Sequence, residues 1–236
     1  MTNKENELFK QLAHKSCLKQ DIYDLTLKIF GDFKSQVGKL IDEYNQQAEN
    51  EKDMQRITFS YHDKGEFEFE VKFGGDVLLF LMHTNIFEIP RHHQIMTTKY
   101  VKEDKERSYC GMVHIYNFLA DSLKYNRYND AGYLIGRLMI NKEKHFFIEG
   151  KKEIGMIFHS FESSIINNEA INEIITSAIE FTLNFDLLIP PYEHVTMISV
   201  SDLQDAIQGS NMLTDKRMGF KFQADKKDVK SHHKKS

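Results

Sequence analysis

The chain has 236 residues, of which 41% are hydrophobic, 28% are charged and only two are cysteine. This length and composition predict one globular domain and exclude wholesale disorder, and two cysteines cannot form a disulfide framework. The N-terminus lacks the apolar region of a secretory signal and no apolar run reaches the roughly 20 residues of a membrane span, so we expect a soluble, cytoplasmic protein without a membrane partner.

The net charge of −4 conceals a strong asymmetry along the chain. Residues 1–100 carry −3 and residues 101–152 carry +3, whereas residues 153–215 contain ten acidic residues and no Lys or Arg. Residues 216–236 carry +6 and are expected to form a disordered basic tail behind a single domain, residues 1–215. The uncompensated carboxylates favour contact with a basic surface, which predicts a protein partner or self-association.

Helical periodicity dominates the first 50 residues. Apolar side chains at three- and four-residue steps predict helices over residues 4–14 and 20–49, the second beginning at Gln20 or Asp21. We interpret residues 1–50 as a helical cover for a sheet. The alternative is pairing with a partner helix in a coiled coil.

The hydrophobic period changes to two between residues 56 and 89. Phe67, Phe69, Val71 and Phe73 alternate with charged residues, and turn signals at 63–65 and 74–75 separate three such runs. The third run is apolar on both faces, which is typical of a central strand. The sequence therefore predicts an α+β fold in which N-terminal and C-terminal helices cover a mainly antiparallel sheet, with a meander over 56–89.

Weaker patterns occupy the middle of the chain. Residues 91–108 are polar and predict an exposed loop or edge, and the apolar spacing that follows predicts a helix over 111–125. A hairpin is predicted from residues 133–140 and 145–148, with a helix over 131–141 as the alternative because two glycines fit either structure.

The acidic region 165–209 is predicted to be mainly helical. An asparagine cap at 167 or 168 begins a helix that runs to about residue 185. A short strand is predicted at 195–200, followed by a helix over 201–209 that begins with a capping box.

Several motifs of large enzyme classes are absent from the sequence. It contains no P-loop, no G-x-G-x-x-G after a strand, no G-x-S-x-G elbow, no H-E-x-x-H and no C-x-x-C. These absences lower the expectation of catalysis without excluding an enzyme built from scattered residues.

Strand register predicts one possible metal site. A three-residue loop at 63–65 would pair His62 with Glu66, and a two-residue loop at 74–75 would pair Glu66 with His83. Two imidazoles and a carboxylate in one row suit a divalent metal or a proton-transfer cluster. The alternative is that Glu66 simply accepts hydrogen bonds from two histidines on a wet sheet face.

Two further groups have functional chemistry. Arg91, His92 and His93 follow the central strand and predict an anion or ligand site, with a solvated strand end as the alternative. Cys110 and His114 are four residues apart, so they would share a helix face and form a thiol–imidazole dyad if the predicted helix began early enough to include Cys110. The alternative for Cys110 is a buried, inert thiol.

Three classes of function follow from these patterns. The first is an interaction or ligand-binding protein without catalysis, which the tyrosines at positions 109, 116, 125, 128 and 133 suit as a recognition surface or as core. The second is a metal-dependent enzyme, with hydrolysis as the expected reaction, centred on His62, Glu66 and His83. The third is weak nucleic-acid association, expected only through the basic tail.

Overall fold

The computed structural model describes residues 2–127, 130–151 and 160–186, and a few single positions between 189 and 200. The helices are α1 (Asn3–Ala48), α2 (Lys52–Gln55), α3 (Lys99–Glu103), α4 (Ala120–Lys124) and α5 (Asn168–Leu183). The strands are β1 (Phe59–Asp63), β2 (Glu68–Phe73), β3 (Asp76–Glu88), β4 (Tyr109–Leu119), β5 (Tyr133–Asn141) and β6 (Phe146–Gly150). Short 3-10 helices cover Gln94–Thr97 and Lys105–Ser108.

The strands form one antiparallel sheet in the order β1-β2-β3-β4-β5-β6. Each strand pairs with its neighbour in sequence, which confirms the predicted α+β fold and its meander. The hairpin predicted at 133–140 and 145–148 is also confirmed, as β5 and β6, and the alternative helix over 131–141 is wrong.

The N-terminal region is one continuous helix rather than the two predicted. Thr2 caps α1 in a capping box with Glu5, so neither Gln20 nor Asp21 begins a helix, and Gln20 instead donates a hydrogen bond to Asp24 within it. Residues 15–19 contain no proline or glycine to break the helix. At 46 residues, α1 is about 69 Å long.

Aromatic rings join the helical layer to one face of the sheet. The ring centroid of Phe30 in α1 lies 5.2 Å from that of Phe69 in β2. The ring centroid of Phe33 lies 6.0 Å from that of Phe80 in β3. Phe69 and Phe80 stack on each other at 4.5 Å. Helix α5, which Asn167 caps as predicted, packs its apolar side chains into the same core. Both helices therefore cover the same face of the sheet.

The predicted helix over 111–125 is wrong, because residues 109–119 form strand β4 and only α4 is helical. Strand β4 lies between β3 and β5 and is largely buried. A central strand that is buried on both faces has apolar residues at so many positions that they also match helical spacing. Periodicity alone therefore does not distinguish such a strand from a helix.

The β3–β4 connection, residues 89–108, is an ordered element rather than the predicted exposed loop. It contains α3 and both 3-10 helices, and it packs against the sheet face opposite to α1. Its apolar contacts form a second small core, comprising Ile89, Ile95, Tyr100, Val101, Cys110, Met112, Met139, Phe147 and Phe161.

Several C-terminal predictions fall outside the described residues, wholly or in part. They are the strand at 195–200, the helix over 201–209 and the basic tail 216–236. Within the described residues, no helix combines the length and the apolar character that crossing a membrane requires.

Candidate functional site

The pairing of β1 with β2 differs from the predicted register by four residues. His62 lies opposite Glu70 rather than Glu66, and Phe59 lies opposite Phe73. Aromatic residues recur at every second position here, so the same aromatic alternation fits both registers. The turn at 74–75 gives the β2–β3 register from which the Glu66–His83 pair was predicted, with Phe69 opposite Phe80, but the pairing ends at Glu68 with Leu81, so Glu66 does not pair with His83.

This shift separates the three predicted metal ligands into different environments. His62 Nδ1 lies 3.6 Å from Glu70 Oε1, whereas Glu66 is exposed in the turn before β2. His83 accepts a hydrogen bond from the Asn85 backbone N–H at 3.0 Å. Across the described ranges, no three His, Cys, Asp or Glu side chains are grouped so as to hold a metal ion.

The predicted ligand site at Arg91, His92 and His93 is divided in the same way. His93 accepts a hydrogen bond from the Ile95 N–H, and its Nε2 lies 3.1 Å from Glu149 Oε1. It thereby fixes the β3–β4 connection to β6. Only Arg91 and His92 keep exposed side chains, and an anion site there stays a prediction.

Cys110 and His114 do not form the predicted dyad, because both lie on strand β4. Four residues along a strand separate their Cα atoms by about 13 Å, against about 6 Å on a helix. Cys110 is fully buried, and this burial raises the pKa of its thiol far above the ordinary range. A thiol in that environment is inert.

A polar cluster that sequence analysis did not predict joins the β3–β4 connection to the β5–β6 turn. The Tyr100 hydroxyl donates to Glu143 and accepts from Asn141, and Arg107 binds Glu143 at 3.0 Å. Burial raises the pKa of Tyr100 to about 12, so the phenol stays protonated. Because these groups satisfy one another internally, we interpret the cluster as a structural clamp.

On the sheet face opposite to the helical layer, the β3–β4 connection leaves part of the sheet uncovered, and we call this uncovered part the open face. The strand registers align its side chains in rows across five strands, for example His62–Glu70–Leu79–Tyr116–Leu134. Its centre comprises Leu79, Leu81, Tyr116, Phe118 and Leu134, and its rim comprises His62, Glu68, Glu70, Lys72, His114, Arg137 and Glu149.

The centre of the open face is apolar, aromatic and partly accessible. Leu134 is 40% exposed, and Leu79, Tyr116 and Phe118 are half-buried. The ring of Tyr116 lies 5.6 Å from that of His114 and 6.4 Å from that of Phe118. Half-buried aromatic side chains in a continuous row offer a large contact area at low entropic cost.

The charges of the rim are largely neutralised by their neighbours. Glu70 pairs with Lys64 at 2.8 Å, and the Arg137 guanidinium binds Glu149 across the β5–β6 pair. Burial, the positive charge of Arg137 and nearby His83 lower the pKa of His114, which is therefore neutral at pH 7. An uncharged centre thus lies within an ion-paired rim.

This environment of His114 predicts a pH dependence of folding. Because the folded-state pKa lies below the unfolded value of about 6.5, the unfolded chain binds more protons as the pH falls. As the pH falls below neutral, the free energy of unfolding should therefore decrease. It should level off once the pH is below the folded-state pKa of His114. The His114→Gln variant should lose part of this slope in urea titrations at a series of pH values.

The Phe118→Leu variant is the control for this experiment, since it alters the same face without removing a titrating group. It should keep the wild-type slope. An unchanged slope in His114→Gln would contradict the assigned environment of His114.

A cleft of about 230 Å³ continues the open face at the end that carries α4. It is lined by Phe118, Ser122, Leu123, Asn126, Arg127 and Asp130. Phe118 belongs to both surfaces, and its ring lies over Gly132, where a Cβ would come within 2.2 Å of it. Ser122 donates a hydrogen bond to Asp130 at the cleft wall.

The polar side chains of β2 on this face were predictable, because they alternate with the buried residues. The contribution of β4 was not, since a helix was predicted where His114, Tyr116 and Phe118 lie on one strand face. Tyr116 and Tyr133 belong to the tyrosine-rich segment that suggested a recognition surface, but only Tyr116 lies on the open face.

No protein-family model, curated protein or solved structure matches this chain.

Proposed function

We propose that this chain is a cytoplasmic binding protein that recognises a partner protein through the open face, without catalysis of its own. The observation that carries the proposal is the uncharged, partly exposed aromatic centre inside an ion-paired rim. Recognition surfaces combine an apolar core, enriched in aromatic residues and depleted of charge, with a polar rim.

The adjacent cleft supports binding of a protein rather than of a compact ligand. A flat, partly apolar surface beside a small pocket suits a partner that inserts one anchor side chain and covers the surrounding area. Small ligands are usually enclosed by concave sites of about 300–1,000 Å³. At about 230 Å³, this cleft is smaller.

The charges of the rim argue against a nucleic-acid partner on this surface. Glu68, Glu70 and Glu149 alternate with Lys72 and Arg137, and Glu70 and Glu149 are ion-paired, so the rim presents no basic stripe that could bind a phosphate backbone. A partner protein with mixed charges and an exposed apolar side chain matches this surface better.

The proposal is tested by immobilising the full chain and comparing the proteins that it retains with those retained by two variants. Leu134→Glu places a charge in the centre of the open face, and Leu183→Glu makes the same change at the end of α5, where Leu183 is 63% exposed. Proteins retained by the wild type and by Leu183→Glu should be lost with Leu134→Glu.

The two leucines are both well exposed, so both variants should unfold at the wild-type midpoint. A second variant, Leu123→Glu, places the charge at the edge of the cleft and should act like Leu134→Glu. Retention of the same proteins by every variant would refute the proposal.

A further inference from the structure

Helix α1 extends well beyond the sheet that it covers. Its first buried residue is Ile22, and its first contacts with the body are His14 with Glu106 and Lys15 over the Tyr109 ring. We call residues 3–13 the overhang. Its side chains are all exposed, although a helix this short is marginal alone and is supported here by the turns that follow.

The overhang carries an apolar stripe that is exposed to solvent. Leu8, Phe9 and Leu12 are 60%, 47% and 62% exposed. Leu8 and Leu12 lie on the helix face that, continued toward the C-terminus, becomes the buried stripe from Ile22 onward. The face that packs on the sheet in one half of α1 is therefore open to solvent in the other half.

The charges that flank this stripe make it complementary to itself. Glu5, Leu8, Leu12 and Lys15 follow one another at steps of three, four and three residues, so they share one helix face. In an antiparallel pair with its two-fold axis at residue 10, Leu8 of each copy meets Leu12 of the other. The same axis places Glu5 of each copy opposite Lys15 of the other, which pairs opposite charges at both ends.

We propose that the overhang binds a second copy of this chain, as an antiparallel helix pair with this register. The proposal is independent of the open face, which lies on the sheet. Each copy would supply the same stripe, so the contact is closed and would join two bodies end to end.

The surroundings of the overhang leave room for this arrangement. The pairing register would bring the N-terminus of the second copy opposite Lys19, which lines a cleft of about 610 Å³ between α1 and β3. The other lining residues are Ser16, Gln20, Tyr23, Thr84, Asn85 and Ile86. Thr84 and Asn85 are exposed beyond the point where β2 pairs with β3, so the sheet does not close this space.

The first test is the mass of the full chain in solution as its concentration rises, measured by sedimentation or light scattering. The wild type and the Leu183→Glu control should pass from the monomer mass to twice that mass. Leu12→Glu should raise the dissociation constant about 100-fold, because each dimer contains the change twice. A wild type that stays monomeric at every concentration, or a dimer that Leu12→Glu leaves intact, would overturn the proposal.

Charge reversal tests the antiparallel register itself. Glu5→Lys and Lys15→Glu should each dimerise poorly alone, since each variant sets like charges opposite each other, but should pair when mixed. The double variant should pair with itself as the wild type does. Because Glu5 also accepts the Thr2 N–H in the capping box and Lys15 also lies over the Tyr109 ring, the double variant controls for both losses. Equal association in all four samples would refute this register.

Discussion

Replacing Phe80 by alanine should lower the free energy of unfolding by about 3–5 kcal/mol, measured by urea denaturation. The Phe80 ring is fully buried on the central strand β3, where it stacks on Phe69 and contacts Phe33 of α1. Its removal would leave a cavity between the sheet and the helical layer, and neighbouring rings could fill this only in part.

The neighbouring residue provides the control. Leu79 lies on the open face and is half-buried, so Leu79→Ala should cost clearly less than Phe80→Ala. If both variants lost the same stability, the assignment of the helical layer to the Phe80 face would be wrong.

Replacing Gly111 by alanine should lower the free energy of unfolding by about 2–3 kcal/mol, because it forces α1 away from β4. A Cβ at Gly111 would lie 2.0 Å from Thr26 Oγ1 and 2.8 Å from Thr26 Cβ. Thr26 is itself fully buried and its hydroxyl donates to the Ile22 carbonyl, so it cannot rotate into solvent.

A double-mutant cycle tests this contact directly. Gly111→Ala should cost less in a Thr26→Ala background, with a coupling free energy of about 1 kcal/mol or more. Gly31→Ala is the control, since nothing lies within 4 Å of its Cβ and an exposed helical alanine should stabilise α1 by about 0.5–1 kcal/mol. Additive effects of Gly111→Ala and Thr26→Ala would show that the two residues do not touch.

The parts of the fold that were predicted correctly are those that local chemistry determines. The tight turn at Gly74–Gly75 sets the β2–β3 register, and Asn167 caps α5 through its own side chain. The pairing of β1 is less constrained, because its longer connection permits any register that keeps the same face buried. Local sequence patterns did not predict strand β4. Its apolar residues are buried because β4 lies between β3 and β5 in the sheet, and this neighbourhood is not a local feature of the sequence.

The candidate site depends mostly on these non-local features. His62 and Glu70 lie on the face where the sequence predicted a polar row, but the partner of His62 changed with the register. Tyr116, Phe118 and Leu134 join that face only through the β3–β4 and β4–β5 pairings. The sequence predicted that the overhang is helical. That the overhang does not pack on the sheet could not be predicted, because this depends on where the sheet ends.

The most direct test of partner binding through the open face is the dissociation constant of a retained partner, measured by calorimetry for the wild type, Tyr116→Ala and Leu183→Glu. Tyr116 lies at the centre of the surface, where truncation of an aromatic anchor typically weakens binding about 30-fold or more. We expect that loss for Tyr116→Ala and a wild-type dissociation constant for Leu183→Glu. Equal dissociation constants for all three proteins would contradict this expectation.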